Sequence, residues 1–146
     1  MSGFGKGMYA DRIRHRHGMA EMDIQDLHDR GLKLRRDMFG ADAVEKRTKA
    51  LGDFGTPLQH IINAYAYGDV WSRTELPLAT KSLAMIAMMA AAGHPAELRV
   101  HLKGALKNGC TPEEIREILL LVALYCGIPA ANEAHRAAVE VIAEAS

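Results

Sequence analysis

Residues 93–109 read GHPAELRVHLKGALKNG. His94, Glu97 and His101 stand at i, i+3 and i+7, so a helix through them would carry two imidazoles and a carboxylate on one face. Three readings are open to such a row. Imidazole and carboxylate suit zinc or iron. A carboxylate touching an imidazole fixes its tautomer and leaves the other ring nitrogen for proton transfer. A Glu–His contact on a solvated helix does no chemistry and contributes about 0.3 kcal/mol. The metal reading is the weakest, because the Gly93-His94-Pro95 turn sets His94 before the helix and not on it. We expect no metal. Glu97 and His101 are four apart with the acid nearer the N-terminus, the favourable order for contact. His101 lies between Val100 and Leu102, with Leu98 and Ala105 on adjacent faces, so the pair could face a pocket.

Other residues could bind an anion. Arg73 follows Trp71 in GDVWSRTELP (68–77), which reads as a loop with an aromatic anchor, and loops concentrate binding residues. Lys81 and Arg99 are further candidate clamps, although a lone cation is ordinarily just solvated. Tyr65, Tyr67 and Trp71 surround that loop, either as core anchors or as a ligand platform. Cys126, in LYCGIPAAN, ends a very apolar helix and reads as a buried thiol, a small hydrophobic wall with no neighbouring cation to activate it.

The elements that must position these residues are helical. The 146 residues are a one-domain length, with 49% apolar and 25% charged residues. Eighteen basic residues balance eighteen acidic ones, so no overall field draws nucleic acid or membrane. Two cysteines without a Cys-x-x-Cys spacing suggest reduced thiols and a cytoplasmic protein. No strand alternation or hairpin turn is visible. Helices are expected from Asp23 to Met38, with Ile24, Leu27, Leu34 and Met38 on one face, and from Ala41 to Leu51. Another opens at Thr56-Pro57 with Leu58, Ile61, Ile62 and Tyr65 as its apolar stripe up to Gly68. The run SLAMIAMMAAAG (82–93), too short for a membrane span, reads as a helix buried on all sides, between subunits. Pro95 opens the helix carrying His101, and Thr111-Pro112-Glu113-Glu114 is a capping box for the helix ending at Gly127. A last helix runs from Pro129 to about Ala145 with Val139 and Ile142 inward. The fold expected is all-α, a single-domain bundle of about seven helices over 23–146. Residues 1–22, with basic Arg12, Arg14, His15, Arg16 and His17, form an arm that is flexible or crosses to a partner.

The segments G-D-x-W (68–71), E-L-x-x-H-L (97–102), N-G-x-T-x-x-E-I-x-E (108–117) and Y-C-G-I-P-A-A-N (125–132) carry a resemblance. From roughly Leu32 to Ala143 the chain resembles the carboxymuconolactone decarboxylase family, most closely its γ-carboxymuconolactone decarboxylases. The resemblance implies the alkylhydroperoxidase-type helical fold and a cofactor-free enzyme that decarboxylates 4-carboxymuconolactone to the β-ketoadipate enol-lactone in protocatechuate catabolism. It implies a homo-oligomer, often six subunits as a trimer of dimers, with no nucleic acid or membrane partner. It implies roles for His101 in proton donation or oxyanion stabilisation, Glu97 in orienting it, Arg73 and Lys81 in carboxylate binding, and Tyr65, Trp71 and Cys126 around the substrate. In peroxidase-like members of this fold two cysteines and a histidine form the redox centre. His94 and Glu97 stand here where the cysteines would be, which excludes that thiol route. Tyr65 replaces an expected histidine and Lys81 an expected arginine. Those departures keep two alternatives open: a cofactor-free decarboxylase or isomerase of another lactone or ring acid, and a non-catalytic oligomeric binding protein.

Overall fold

The computed structural model describes residues 23–146; the basic arm lies outside them. Seven α-helices follow one another: α1 (Ile24–Phe39), α2 (Ala41–Leu51), α3 (Thr56–Ile61), α4 (Leu78–Ala92), α5 (Pro95–Lys107), α6 (Pro112–Cys126) and α7 (Ile128–Ala145). A 3₁₀ turn (Asp53–Gly55) leads into α3, which continues without a break as a π-helix from Ile62 to Trp71. No strand occurs among the described residues. The all-α reading holds, and so does the Thr111 capping box: its hydroxyl accepts from Glu114 N and the Glu114 carboxylate accepts from Thr111 N.

Helices α4–α7 enclose the main core, with Ile86, Leu98, Leu102, Ile115, Leu119 and Val141 each at most 2% exposed. Helix α1 lies across the π-helix in a second layer. The crossing is close because glycine faces backbone on both sides. A Cβ on Gly31 would fall 1.7 Å from Asn63 O, and one on Gly68 would fall 2.0 Å from Leu27 O. Gly104 of α5 leaves room for the Phe39 ring at the end of α1, which a Cβ there would meet at 2.5 Å. The two layers therefore join where α1, α5 and the π-helix converge.

Several expected inward faces point elsewhere. In α1 the buried residues are Gly31, Arg35 and Met38, while Ile24 is exposed. The α3 stripe Leu58, Ile61 and Tyr65 is about half exposed, and the inward row is Gln59, Asn63, Ala64 and Tyr67. The cause is Arg35: a buried guanidinium needs hydrogen-bond acceptors, and Gln59 and Asn63 supply them, so the polar face turns inward. Helix α4 buries one face through Ser82, Ile86 and Ala90 and leaves Met88 exposed, so in the single chain it is not covered all round. Val139 is exposed too, whereas Ile142 packs on the core. Cys126 is exposed rather than a buried wall. It ends α6, whose outer side bares Leu120, Leu121, Leu124 and Tyr125 while Ile115, Leu119 and Val122 point in. No described helix is long and apolar enough to cross a membrane.

Candidate functional site

The residues Gln59, Asn63, Tyr67 and Trp71 recur at every fourth position along α3 and the π-helix. Four residues overshoot one turn of an α-helix. They fall short of a turn in the wider i→i+5 winding. A helix that changes from one to the other therefore keeps an i+4 row pointing one way. That row forms one side of the candidate site. Trp71, expected in a loop, is the last residue of this winding.

Four rings close on one another above it. Tyr67 stacks on Trp71 with centroids 5.7 Å apart, and Trp71 stacks on His101 at 6.0 Å. Phe39 meets Tyr67 at 5.9 Å and His101 at 5.7 Å, edge-on to both. His101 is 6% exposed. Its ring plane is set by this packing, and no hydrogen bond joins it to Glu97, which sits exposed in the first turn of α5. Glu97 reaches it through charge. Burial lowers the proton affinity of His101, the Glu97 carboxylate partly restores it, and the Arg47 guanidinium lowers it further. The ring is thus a neutral imidazole at neutral pH. Burial also pushes the Tyr67 hydroxyl up to about 12, against the pull of Arg35 and Arg47, so it stays protonated and can donate a hydrogen bond.

The site also contains residues that spacing and motifs leave without a role. Arg35 holds its guanidinium 5.6 Å from the Tyr67 centroid, and Arg47 of α2 sits 5.7 Å from that of Phe39. Asn63 links onward to His28, whose ring stacks on His60. The signal that could find them is the fourfold spacing of Gln59, Asn63, Tyr67 and Trp71, which marks a buried face once its two amides are allowed to be inside.

The expected site residues divide. Trp71 and His101 are in the ring cluster, with Glu97 near by electrostatics. Tyr65 is 46% exposed on the opposite side of the helix from Tyr67. Arg73 pairs with Asp69 at 3.1 Å and borders a cavity of about 430 Å³ behind Trp71, shared with Arg30 and Lys33. Lys81 turns its ammonium onto the carbonyls of Val70, Trp71 and Arg73, at 3.3, 2.9 and 2.6 Å. These are carbonyls at the open end of the π-helix, where a cation is favoured. Burial lowers the Lys81 proton affinity, with Glu75 opposing and Arg73 assisting. His94 occupies the N-cap position of α5, exposed and without a side-chain cap hydrogen bond, and does not join Glu97 and His101 in a metal-binding cluster. Lys81→Met is expected to lower unfolding free energy in urea by about 1–2 kcal/mol and to red-shift the emission of Trp71, the single tryptophan. An unchanged midpoint and spectrum would show that this cap does not hold Trp71.

The family model for "Carboxymuconolactone decarboxylase family" matches residues 56–140, from the start of α3 well into α7. The chain belongs to the carboxymuconolactone decarboxylase family. Within the family, it is 39% identical over 120 residues to a 4-carboxymuconolactone decarboxylase of Acinetobacter baylyi, covering 82% of this chain and 90% of the relative. It is 38% identical over 108 residues to the nitrosuccinic acid decarboxylase npaB of Metarhizium robertsii, covering 74% and 76%. A third relative, peroxisomal protein 2 of Schizosaccharomyces pombe, is 43% identical over 114 residues, 75% of this chain and 52% of that protein. The segment matched to the family holds Tyr67, Trp71 and His101, whereas Arg35, Phe39 and Arg47 precede it.

Proposed function

We propose that this protein is a decarboxylase acting on 4-carboxymuconolactone and releasing the β-ketoadipate enol-lactone and carbon dioxide. The observation that carries the reading is the 39% identity to a 4-carboxymuconolactone decarboxylase over 82% of this chain and 90% of that relative. The chemistry agrees with the site. When the carboxylate on the ring carbon leaves as carbon dioxide, its bonding electrons pass through the ring alkene into the lactone carbonyl. A proton then adds to the carbon beside that carbonyl. The substrate is its own electron sink, so the protein needs to orient the carboxylates, stabilise the dienolate oxygen and deliver one proton.

His101 is the group proposed for the proton, and Tyr67 for a hydrogen bond to the dienolate oxygen. A carboxylated lactone bound beside the neutral imidazole would raise its proton affinity, so the complex takes up the proton that the free protein lacks. Glu97 supports the same shift. The aromatic walls favour loss of charge from the leaving carboxylate, because a dry surface solvates carbon dioxide better than an anion. A second reading, removal of a carboxylate from another acid, is supported by the 38% identity to the nitrosuccinic acid decarboxylase and by Lys81 and Tyr65 at the departures noted above. Turnover of a panel of carboxylated lactones and acids separates the two.

We also propose a homo-oligomer acting in the cytoplasm. The exposed Leu120, Leu121, Leu124, Tyr125 and Ile128, with Leu58, Ile61 and Tyr65, are apolar faces that another subunit would cover. The free, exposed Cys126 suits a reducing compartment. Light scattering is expected to give a multiple of the chain mass, and Leu124→Glu to lower it. A monomer in both would remove this part of the reading.

A further inference from the structure

Several described surface cations have carboxylate partners and the others lie open to solvent: Asp69 takes Arg73, Glu140 and Glu144 take Arg99, Glu144 takes Lys103, and Asp37 takes Lys33. Arg35 and Arg47 differ. Arg35 is 5% exposed, and its Nη1 donates to two neutral amides, Gln59 Oε1 at 3.0 Å and Asn63 Oδ1 at 2.6 Å. Its guanidinium also lies over the face of Tyr67. Arg47, half-buried, rests over Phe39. Neither forms an ion pair with a described carboxylate. Amides and ring faces satisfy a guanidinium's hydrogen-bonding and stacking needs but do not neutralise its charge, and a buried charge without a counter-charge is costly. The two cations share one ring, Tyr67, on which both act electrostatically, and Arg47 also acts on Arg35 and His101. Two like charges are thus held together at the four-ring cluster, and an anion arriving there would relieve both.

We infer that Arg47, with Arg35 behind it, recognises the carboxylate that a bound lactone retains, placing that carboxylate over Phe39 and the reacting carbons beside His101. The inference rests on the decarboxylase reading for the identity of the ligand, and extends it by naming which charges choose the substrate. Arg73 and Lys81 are less suited: one is taken by Asp69 and the other by three carbonyls. Neither is among the charges that act on His101. The retained carboxylate is also the one a cation should hold. A guanidinium on the leaving carboxylate would stabilise the ground state more than the transition state, in which that charge departs. A cation on the spectator carboxylate binds both states alike. Arg47 therefore sets KM more than kcat. Arg35, buried, is a positioning residue that holds Tyr67 and adds positive field at that ring.

The test uses two unreactive probes: the ring-saturated lactone carrying both carboxylates, and the same lactone without its acetate carboxylate. Titration calorimetry on the wild-type protein should show the second binding roughly 10- to 100-fold more weakly, the span of one lost charge-assisted hydrogen bond. In Arg47→Gln that difference should shrink to about 3-fold or less, and Arg47→Lys should restore part of it. In turnover, Arg47→Gln should raise KM by a similar factor and leave kcat within about 3-fold. Arg35→Lys, which keeps the buried charge, should change KM less than Arg47→Gln does. An undiminished probe difference in Arg47→Gln overturns the inference, as does finding the coupling in Arg73→Gln instead. Failure of the decarboxylase reading looks different: the wild-type protein would not turn over the lactone, while the Arg47-dependent discrimination between probes persisted. That result would uphold the carboxylate site.

Discussion

His101→Ala is expected to lower kcat on 4-carboxymuconolactone by about 10²- to 10⁴-fold, the usual contribution of a positioned acid or base. The effect follows from the ring cluster, since His101 is the imidazole held against Trp71 and Phe39 at the junction of the two layers, while the neighbouring Tyr67 stays protonated. Alanine also leaves a cavity, which costs about 3 kcal/mol, the lower end of the range for buried ring deletions. His101→Phe separates these effects, because it keeps the ring and its stacking and removes both nitrogens. It should melt near the wild type and be as inactive as the alanine variant. Nearly full activity in His101→Phe would take the imidazole out of the mechanism.

The same residue predicts a pH dependence with a definite sign. Burial sets the folded proton affinity of His101 below its ordinary 6.5. Between that lower midpoint and 6.5 the unfolded chain binds more protons than the folded one, so stability rises with pH there. The contribution is complete above about 6.5 and is lost as pH falls to the folded midpoint. An NMR titration should find the His101 midpoint below 6.5 in the free protein and moving up when a carboxylated lactone binds. His101→Phe should flatten the slope of unfolding free energy in that window.

A large structural effect is expected at Gly68, on the π-helix side of the glycine crossing. Its Cβ would fall 2.0 Å from Leu27 O and 2.9 Å from Asn63 O, both backbone oxygens that cannot swing aside. Alanine must push α1 off the π-helix, at a cost of about 3 kcal/mol or more. A fall in melting temperature of roughly 10 °C is the expected reading. The displacement would also reach the chemistry, because α1 carries Arg35 and Phe39 and the π-helix carries Tyr67 and Trp71. Gly68→Ala should therefore lose activity at temperatures where it is still folded. Gly93→Ala also meets nothing within 4 Å, its left-handed φ of 71° and ψ of 43° cost only about 1 kcal/mol, and it serves as the comparison. Equal stability of the two variants would contradict close packing at the crossing.

How much of this is legible in the residues depends on what each one touches. Helix starts and stops are readable because Thr111, Pro95 and Gly93 act through local backbone chemistry. Inward faces are less so. Leu58, Ile61 and Tyr65 look like a core stripe, and Gln59 and Asn63 look like the solvated side. The buried Arg35, on another helix, needs those two amides as acceptors and reverses the faces. That is a tertiary requirement, invisible to local periodicity. Gly68 in G-D-x-W stands out as a motif residue, but its reason is the carbonyl of Leu27 on another helix. His101 is identifiable by its spacing to Glu97, yet what orients it is an aromatic enclosure assembled from three elements. Cys126 misleads because α6 is apolar on both faces, and composition alone does not say which face the core takes.

The measurement closest to the central claim follows carbon dioxide and enol-lactone after 4-carboxymuconolactone is added to the purified protein. The account predicts equal amounts of both products, formed at a catalysed rate by the wild type and about 10²- to 10⁴-fold more slowly by His101→Phe. No release above the buffer rate by the wild type, or equal rates in the two proteins, would contradict it.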